Sequence, residues 1–298
     1  MRPELTKAIE LLRRDSPEAM DEALSLLQNT VYSFSMKVCG HPEDAEDTMQ
    51  EVLFRSLKYL AKIQDPKALS VWLYTVTRNR CWRMRRKPAN GKGRHISLDE
   101  LMPDDAELAM LIQDVSMSPE GSASLAEQEA ILQKAVLLIP VPLRLVLVLH
   151  DMEELTTEEV AQVLGLQPGT VRVRLHRARL AVRKEMSKQE RHWGLTPLRG
   201  AEGSRKPVSK RRPPECSDLF AQLSEYLDGR IEPVTCEEIE RHIHGCPACV
   251  AFLSDLRSAI DRCRRHDVHC DPTVTKRLRA VLTREYVRLI AAPILKRV

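Results

Sequence analysis

Apolar residues recur at helical spacing in each well-patterned block of this chain, and no stretch alternates apolar and polar residues with a period of two. Between Pro42 and Lys62, for example, apolar side chains fall at 45, 49, 52, 53, 57 and 60. This spacing puts them on one face of a helix, and Pro42 suits the first helical turn. The sequence therefore predicts an all-α protein made of small helical domains.

Two segments rich in proline and glycine separate the patterned blocks. Clustered Pro and Gly with few apolar neighbours favour connecting chain over packed helix. We therefore predict domains at 1–87, 122–186 and 215–298, joined by linkers at 88–121 and 187–214.

The formal charge of +4, from 46 Lys and Arg against 42 Asp and Glu, conceals strong segregation of charge along the chain. Segregated positive charge indicates a polyanionic partner. No run of 18 apolar residues exists and the N-terminus lacks a signal-peptide pattern, so we expect a cytoplasmic protein without a membrane partner. In that compartment the eight cysteines are not expected to form disulfides.

The segment from Thr156 to Arg179 has the pattern of a helix-turn-helix. Thr156 and Glu159 have capping-box spacing, and Gly165 is placed to end the first helix. Pro168 then opens a second helix with an apolar back and a basic front, formed by Arg172, Arg174, His176, Arg177 and Arg179. Such a front suits the major groove of DNA, where Arg binds guanine edges or phosphates. The alternative is a solvated basic helix in an ordinary bundle.

The first block contains an acidic helix followed by a basic one. No acidic residue occurs between Val76 and Leu98, whereas eight basic residues do. This concentration of cations predicts phosphate contact, although the helix dipole also favours a solvated basic C-terminal turn. In the acidic helix, Asp47 and Glu51 are like charges one turn apart, which costs an isolated helix about 0.2–0.5 kcal/mol. An acidic stripe retained at that cost suggests a basic protein partner.

Two parts of the chain resemble bacterial RNA polymerase sigma factors of the extracytoplasmic-function group. The first resembles region 2 and comprises DAEDTMQEVLFRSL (44–57) and WLYTVTRNRCWRMRRK (72–87). The second resembles region 4 and comprises IPVPLRLVLVLHDMEELTTEEVAQVLGLQPGTVRVRLHRAR (139–179). The resemblance implies that the protein binds core RNA polymerase and promoter DNA, and that it has no catalytic site of its own.

The same resemblance implies three groups of site residues. Asp47, Gln50, Glu51 and Arg55 would contact polymerase. Arg78, Asn79, Arg80 and Arg83 would hold the minus-ten strand, with Asn79 near a flipped base. Arg172, Arg174, His176 and Arg177 would recognise the minus-thirty-five element, beside Val173 at a position where a small polar residue is common.

Six of the eight cysteines lie after residue 215, and one set follows the pattern C-x25-H-x3-C-x2-C, namely Cys216, His242, Cys246 and Cys249. On one helix, His242 and Cys246 would share a face. One imidazole and three thiolates make the closed tetrahedral site that structural Zn²⁺ prefers, with unmetallated buried thiols as the alternative. Cys236 and His244 are poorer ligands, because they fall on other faces of the helix.

The segments LSEYLDGR (223–230) and EEIERHIHGCPACVAFLSDLR (237–257) resemble the zinc-binding anti-sigma domain. That family inhibits sigma factors, so the resemblance implies regulation in cis through intramolecular contact between the zinc domain and the sigma domains. A flexible linker of 28 residues, the length of 187–214, has an r.m.s. reach of about 30 Å, which permits such contact. The sequence leaves open whether the tail inhibits or activates, and which metal or redox signal it answers.

A second group of soft ligands, Cys263, His266, His269 and Cys270, has the pattern C-x2-H-x2-H-C. It is either a second metal site or a polar helix end with incidental histidines. The amphipathic, basic segment 275–298 is predicted to be a docking helix of unknown partner. Two rival functions remain: a one-component helix-turn-helix regulator that does not act through polymerase, and a zinc enzyme, which would need an open coordination position.

Overall fold

The computed structural model describes residues 3–14, 16–60, 65–84, 96–114, 125–192, 222–223 and 225–295. All regular secondary structure in these ranges is helical, which confirms the predicted all-α fold. None of the helices described is long and apolar enough to cross a membrane.

The helices are α1 (Pro3–Leu12), α2 (Pro17–Cys39), α3 (Pro42–Leu60), α4 (Pro66–Met84), α5 (Leu98–Leu101), α6 (Asp105–Asp114), α7 (Leu125–Leu138), α8 (Val141–Leu147), α9 (Thr157–Leu164), α10 (Pro168–His192), α11 (Pro233–Gly245), α12 (Pro247–Arg265) and α13 (Pro272–Leu295). One π-helical turn, Val148–Met152, follows α8. The chain divides into two compact units, each built from discontinuous segments.

The first unit comprises 1–92, 148–171 and 266–298. Its centre is α2, which packs against α1, α3 and α4, while α9 packs against α4. The helix begins at Ser16, whose hydroxyl accepts a hydrogen bond from the Ala19 amide at 3.2 Å, and ends at Gly40, which has a φ of 81°. Both caps satisfy backbone groups that a helix end leaves unpaired.

The docking helix predicted near the C-terminus also belongs to the first unit. The structure supplies its partner, because α13 packs against α2 and α3. Leu282 and Tyr286 are buried there, as the apolar side of an amphipathic helix should be.

The second unit comprises 93–147 and 172–265. Within it, α12 packs against both α6 and α11. Arg144 is buried and donates to the carbonyl oxygens of Leu137 and Ile139, the latter at 3.0 Å, so it satisfies groups left unpaired where α7 ends.

The segment 88–121, predicted as a linker, contains two helices, α5 and α6. Its polar residues act as helix caps: Ser97 accepts from the Glu100 amide at 3.1 Å, and Asp104 accepts from the Glu107 amide at 2.8 Å. Leu101 and Leu108 are buried. Cap residues and connecting chain share one composition, which is why the sequence pattern did not reveal these helices.

Candidate nucleic-acid interface and metal site

The helix α3 presents the predicted polymerase-binding residues on its exposed side. Asp47, Gln50 and Arg55 are exposed, and Glu51 is half-buried. The Glu51 carboxylate pairs with Arg55 at 2.9 Å and with Arg80 of α4 at 2.5 Å. These cations offset the repulsion between neighbouring acids, as the i,i+4 spacing of Glu51 and Arg55 predicts.

One further residue on this side of α3, Phe54, was not among the predicted site residues. Its side chain is 50% exposed. At 100° per residue, Phe54 lies within about 20° of Asp47 around the helix axis. An aromatic residue surrounded by polar ones is typical of an interface hot spot. Residue 54 falls outside the apolar stripe at 45, 49, 52, 53, 57 and 60, and that departure was the available signal.

The helix α4 brings Arg78, Asn79 and Arg80 together on successive positions. The Arg78 guanidinium donates to the Asn79 side-chain oxygen at 2.6 Å and to the Val163 carbonyl oxygen at 2.6 Å. That carbonyl lies in the last turn of α9, where the helix dipole favours a cation. Burial lowers the pKa of Arg78. Arg83 lies in α4, but its side chain is outside the described residues.

The helix-turn-helix pattern is confirmed locally. Thr156 caps α9 in a complete capping box with Glu159, and Gly165 ends that helix with a φ of 66°. In the first turns of α10, Thr170, Arg172, Val173 and Arg177 are exposed and Arg174 is half-buried. Val173 is 56% exposed. The N-terminal part of a recognition helix is the part that contacts base edges, so these residues form the candidate DNA-recognition face.

Two residues predicted on that face, His176 and Arg179, are buried, so the prediction of their outward orientation is wrong. The Arg179 guanidinium donates two hydrogen bonds to the Asp228 carboxylate, at 2.9 and 3.0 Å, and is 0% exposed. Burial, together with the charges of Arg179 and Arg177, lowers the pKa of His176 to about 4. A neutral, enclosed imidazole is not available to DNA in this structure.

Further residues of the zinc domain contact the C-terminal half of α10. Arg183 pairs with Asp255 at 2.5 Å and stacks on the Phe252 ring, 4.7 Å from its centroid. Glu190 accepts from Arg262 at 2.6 Å. The prediction of intramolecular contact between the zinc domain and the helix-turn-helix block is thus confirmed.

The candidate metal site is formed by His242, Cys246 and Cys249, whose ligand atoms all lie within 4.8 Å of one another. The prediction that one helix carries His242 and Cys246 is wrong. Helix α11 ends at Gly245, Cys246 lies between the helices with φ −125° and ψ 97°, and Cys249 is buried in the first turn of α12. The fourth predicted ligand, Cys216, lies outside the described residues.

This donor set fits zinc, since an imidazole and thiolates are ligands that Zn²⁺ prefers. The His242 Nε2 atom lies 3.3 Å from the Cys249 sulfur. The two residues judged poorer ligands are engaged elsewhere: the Cys236 thiol with the Glu240 carboxylate at 3.6 Å, and the His244 ring with the Glu240 carbonyl oxygen at 2.7 Å.

The structure does not gather the second soft cluster into a site. Cys263, His266 and Cys270 are buried, whereas His269 is exposed beside Asp267. Over the described ranges, His242, Cys246 and Cys249 form the one group of potential ligands close enough to share an ion. The second metal site stays a prediction.

Three family models match the chain. Residues 24–90 match sigma-70 region 2, residues 129–182 match sigma-70 region 4, and residues 216–249 match a putative zinc finger. The protein therefore carries both sigma-70 domains, in order, followed by a zinc-finger domain of the anti-sigma type.

The similar curated proteins are named as sigma factors, and two of the three described here as members of the extracytoplasmic-function (ECF) group. The ECF RNA polymerase sigma factor SigW of Bacillus subtilis is 26% identical over 61% of this chain and 96% of its own length. The ECF RNA polymerase sigma factor SigE of Mycolicibacterium smegmatis is 32% identical over 56% of this chain and 62% of its own length. The probable RNA polymerase sigma factor RfaY of Xanthomonas campestris is 30% identical over 57% of this chain and 40% of its own length.

Proposed function

We propose that this protein is a sigma factor that binds core RNA polymerase in the cytoplasm and directs it to promoters, with its zinc domain regulating it in cis. The observation that carries the proposal is the presence of sigma regions 2 and 4 in that order. Each region carries basic residues suited to DNA, and region 2 also carries an acidic surface suited to a basic protein partner. Its role is recruitment and recognition, not catalysis.

Polymerase binding is assigned to the exposed side of α3. Asp47, Gln50, Glu51 and Arg55 supply polar complementarity, which favours specificity and fast association. Phe54 supplies the apolar centre, because a half-exposed aromatic ring gains most when a partner covers it.

Promoter contact is assigned to two basic surfaces. Arg78, Asn79, Arg80 and Arg83 on α4 are proposed to hold the minus-ten strand, where cations bind phosphate and the amide binds a base. Arg172, Arg174 and Arg177 on α10 are proposed to bind the minus-thirty-five duplex. His176 is withdrawn from this group, because it is buried.

For the zinc domain, we propose a structural Zn²⁺ held by His242, Cys246, Cys249 and Cys216. Bound zinc would supply folding free energy to a small domain. The direction of regulation is proposed to be inhibition, since residues of this domain occupy Arg179 and Arg183 of the helix that carries the DNA-recognition face.

The one-component regulator is not favoured, because such a protein has no use for a sigma region 2. The direct test is run-off transcription with core polymerase and promoter templates chosen by binding-site selection with the reconstituted holoenzyme. We expect promoter-dependent product. If the full chain and a chain ending at His192 both give none, although both bind DNA, the regulator is the better hypothesis.

The exposed ring of Phe54 gives a first prediction. Phe54→Ala is expected to weaken core polymerase binding by about tenfold, since truncation of a hot-spot residue costs on the order of 1–2 kcal/mol or more. Fluorescence anisotropy with labelled full-length protein measures the change. Met110→Ala is the matched control, because Met110 is 52% exposed on α6 and is expected to have no effect. Equal affinities for the Phe54 variant and the wild type would remove Phe54 from the interface.

Val173 gives a second prediction, on base preference. An exposed branched apolar side chain between DNA-binding arginines suits the methyl group of thymine. Deoxyuridine in place of thymine at the contacted position is expected to weaken holoenzyme binding by about fivefold, the effect of roughly 1 kcal/mol. Val173→Ser should abolish that difference, while Val281→Ser, at an equally exposed valine on α13, should leave it intact. A thymine preference unchanged in Val173→Ser would contradict the assignment.

A further inference from the structure

A buried polar cluster connects three parts of the first unit that are distant in sequence. The Glu153 carboxylate accepts from Lys37 of α2 at 2.9 Å and from the Tyr74 hydroxyl of α4 at 2.7 Å, one partner for each oxygen. Lys37 and Glu153 are 0% exposed and Tyr74 is 1% exposed. Lys37 and Tyr74 lie in the range that matches region 2, whereas Glu153 lies in the range that matches region 4.

The cluster makes the contact of Glu153 with α2 and α4 specific. A buried ion pair is weak evidence for stability, but removal of one partner leaves an uncompensated buried charge and is strongly unfavourable. While Glu153 is in place, Lys37 is neutralised away from water. If Glu153 leaves, the Lys37 ammonium must be hydrated. The docked and undocked states therefore differ by the entry of water, and no partly docked state is favoured between them.

The same contact occupies a residue proposed to bind DNA. Arg78 donates to the Val163 carbonyl oxygen at 2.6 Å, and α9, which contains Val163, packs against α4. The segment from Glu153 to the end of α9 therefore contacts α4 at two places, Tyr74 and Arg78. Asp47 and Gln50 on α3 remain exposed in this arrangement.

The segment after the zinc finger reaches the same part of α2. Ser33 donates to Asp267 at 3.3 Å, and the buried Gln28 donates to the Thr275 carbonyl oxygen at 3.2 Å. The neighbouring His266 is 6% exposed, and its pKa is lowered to about 4 by burial and then by the charge of Lys37. A neutral imidazole avoids placing a second buried cation beside that lysine.

We propose that α2 and α4 form a second protein-binding surface on region 2, whose partners are two segments of this same chain, Glu153–Leu164 and His266–Tyr286. Docking of both segments keeps Arg78 from the minus-ten strand and leaves the polymerase-binding side of α3 open. This inference rests on the proposed function only through the DNA role of Arg78. Regulation in cis then acts on strand capture and not on polymerase recruitment.

Hydrogen exchange of the full-length, zinc-loaded chain tests the docking itself. In Glu153→Gln, amides of α9 and of α4 near Tyr74 are expected to exchange at least about tenfold faster, since the buried Lys37 loses the charge that compensates it. Peptides from α11 and α12 should not change. The control is Glu158→Gln, which removes an exposed glutamate from the first turn of α9. Unchanged exchange in both helices of Glu153→Gln would overturn the proposal.

A milder variant covers the case in which Glu153→Gln unfolds the whole unit, which faster exchange in α1 would reveal. Tyr74→Phe removes one hydrogen bond and keeps the ion pair. It is expected to speed exchange in α9 and α4 together, by a smaller factor, with α1 unaffected. Faster exchange in α4 alone would mean that Tyr74 stabilises only its own helix, and would equally overturn the proposal.

A binding measurement separates this inference from the proposed function. Glu153→Gln is expected to bind a fluorescein-labelled single-stranded DNA of mixed sequence more tightly than the wild type and Glu158→Gln do, and to bind core polymerase with unchanged affinity. Unchanged DNA affinity in a variant with loosened helices would overturn the role assigned to Arg78. Absence of run-off transcription from every variant, with the exchange result as expected, would end the sigma-factor proposal and leave the docking surface standing.

Discussion

Reversing one charge in the tail, Asp228→Arg, is expected to raise promoter-dependent transcription by at least about tenfold in the full-length chain. Asp228 neutralises Arg179, which is 0% exposed, and a second cation, Arg264, lies 3.7 Å from the same carboxylate. Losing one partner of a buried pair costs on the order of 3–5 kcal/mol. The variant should therefore expel Arg179 and detach the zinc domain, the proposed inhibitor, from α10. Multi-round run-off transcription with core polymerase measures the change.

The matched control is Asp261→Arg, which reverses a half-exposed acid that pairs at 3.8 Å with Arg264, one turn along α12. It is expected to leave transcription unchanged. A chain ending at His192 should match or exceed the activity of Asp228→Arg, because it lacks the whole tail. If both Asp228→Arg and the shortened chain are less active than the wild type, the tail is an activator or a folding requirement.

Removing the metal is expected to have the second large effect. Cys249→Ala should abolish stoichiometric zinc binding and unfold the α11–α12 hairpin. In small zinc domains, the free energy of zinc binding, about 10–16 kcal/mol, contributes directly to the free energy of folding. The ligand atoms approach within 4.8 Å, while α11 buries a single side chain, Ile239, so apolar burial alone does little to hold that helix against α12. Zinc release on denaturation and circular dichroism at 222 nm, a wavelength sensitive to helix, measure both effects.

Two neighbouring residues provide controls for the metal prediction. Cys236→Ala and His244→Ala change the same residue types on the same helix, but Glu240 engages both side chains outside the cluster. Both variants are expected to retain one zinc per chain and a folded hairpin. If Cys236→Ala loses the metal as Cys249→Ala does, the ligand set is wrong.

Local patterns in the sequence predicted the parts of this structure that depend on nearby residues. The capping box at Thr156, the left-handed Gly165 and the helical spacing of α3 are set within a few positions, so sequence alone was sufficient. The spacing of His242, Cys246 and Cys249 predicted their proximity. It did not predict the break at Gly245, because a turn between two helices and one continuous helix both place such residues close together.

The parts that sequence did not predict depend on pairing across long separations. Arg179 looked outward-facing because its partner, Asp228, lies 49 positions away. Glu153 is one of several acids in its segment of the sequence, yet its partners Lys37 and Tyr74 are 116 and 79 positions away. No periodicity connects such residues, so their burial follows from tertiary packing alone.

The Glu51 carboxylate links the helix proposed to bind polymerase, α3, to the helix proposed to bind DNA, α4. It serves Arg55 on its own helix and Arg80 on α4 at once. A cationic group on an arriving enzyme that takes up this carboxylate would leave the Arg80 guanidinium for a phosphate. Binding of polymerase to α3 would thus free Arg80 on α4 for DNA. Polymerase binding and DNA binding would then occur as successive steps and would not compete for one surface.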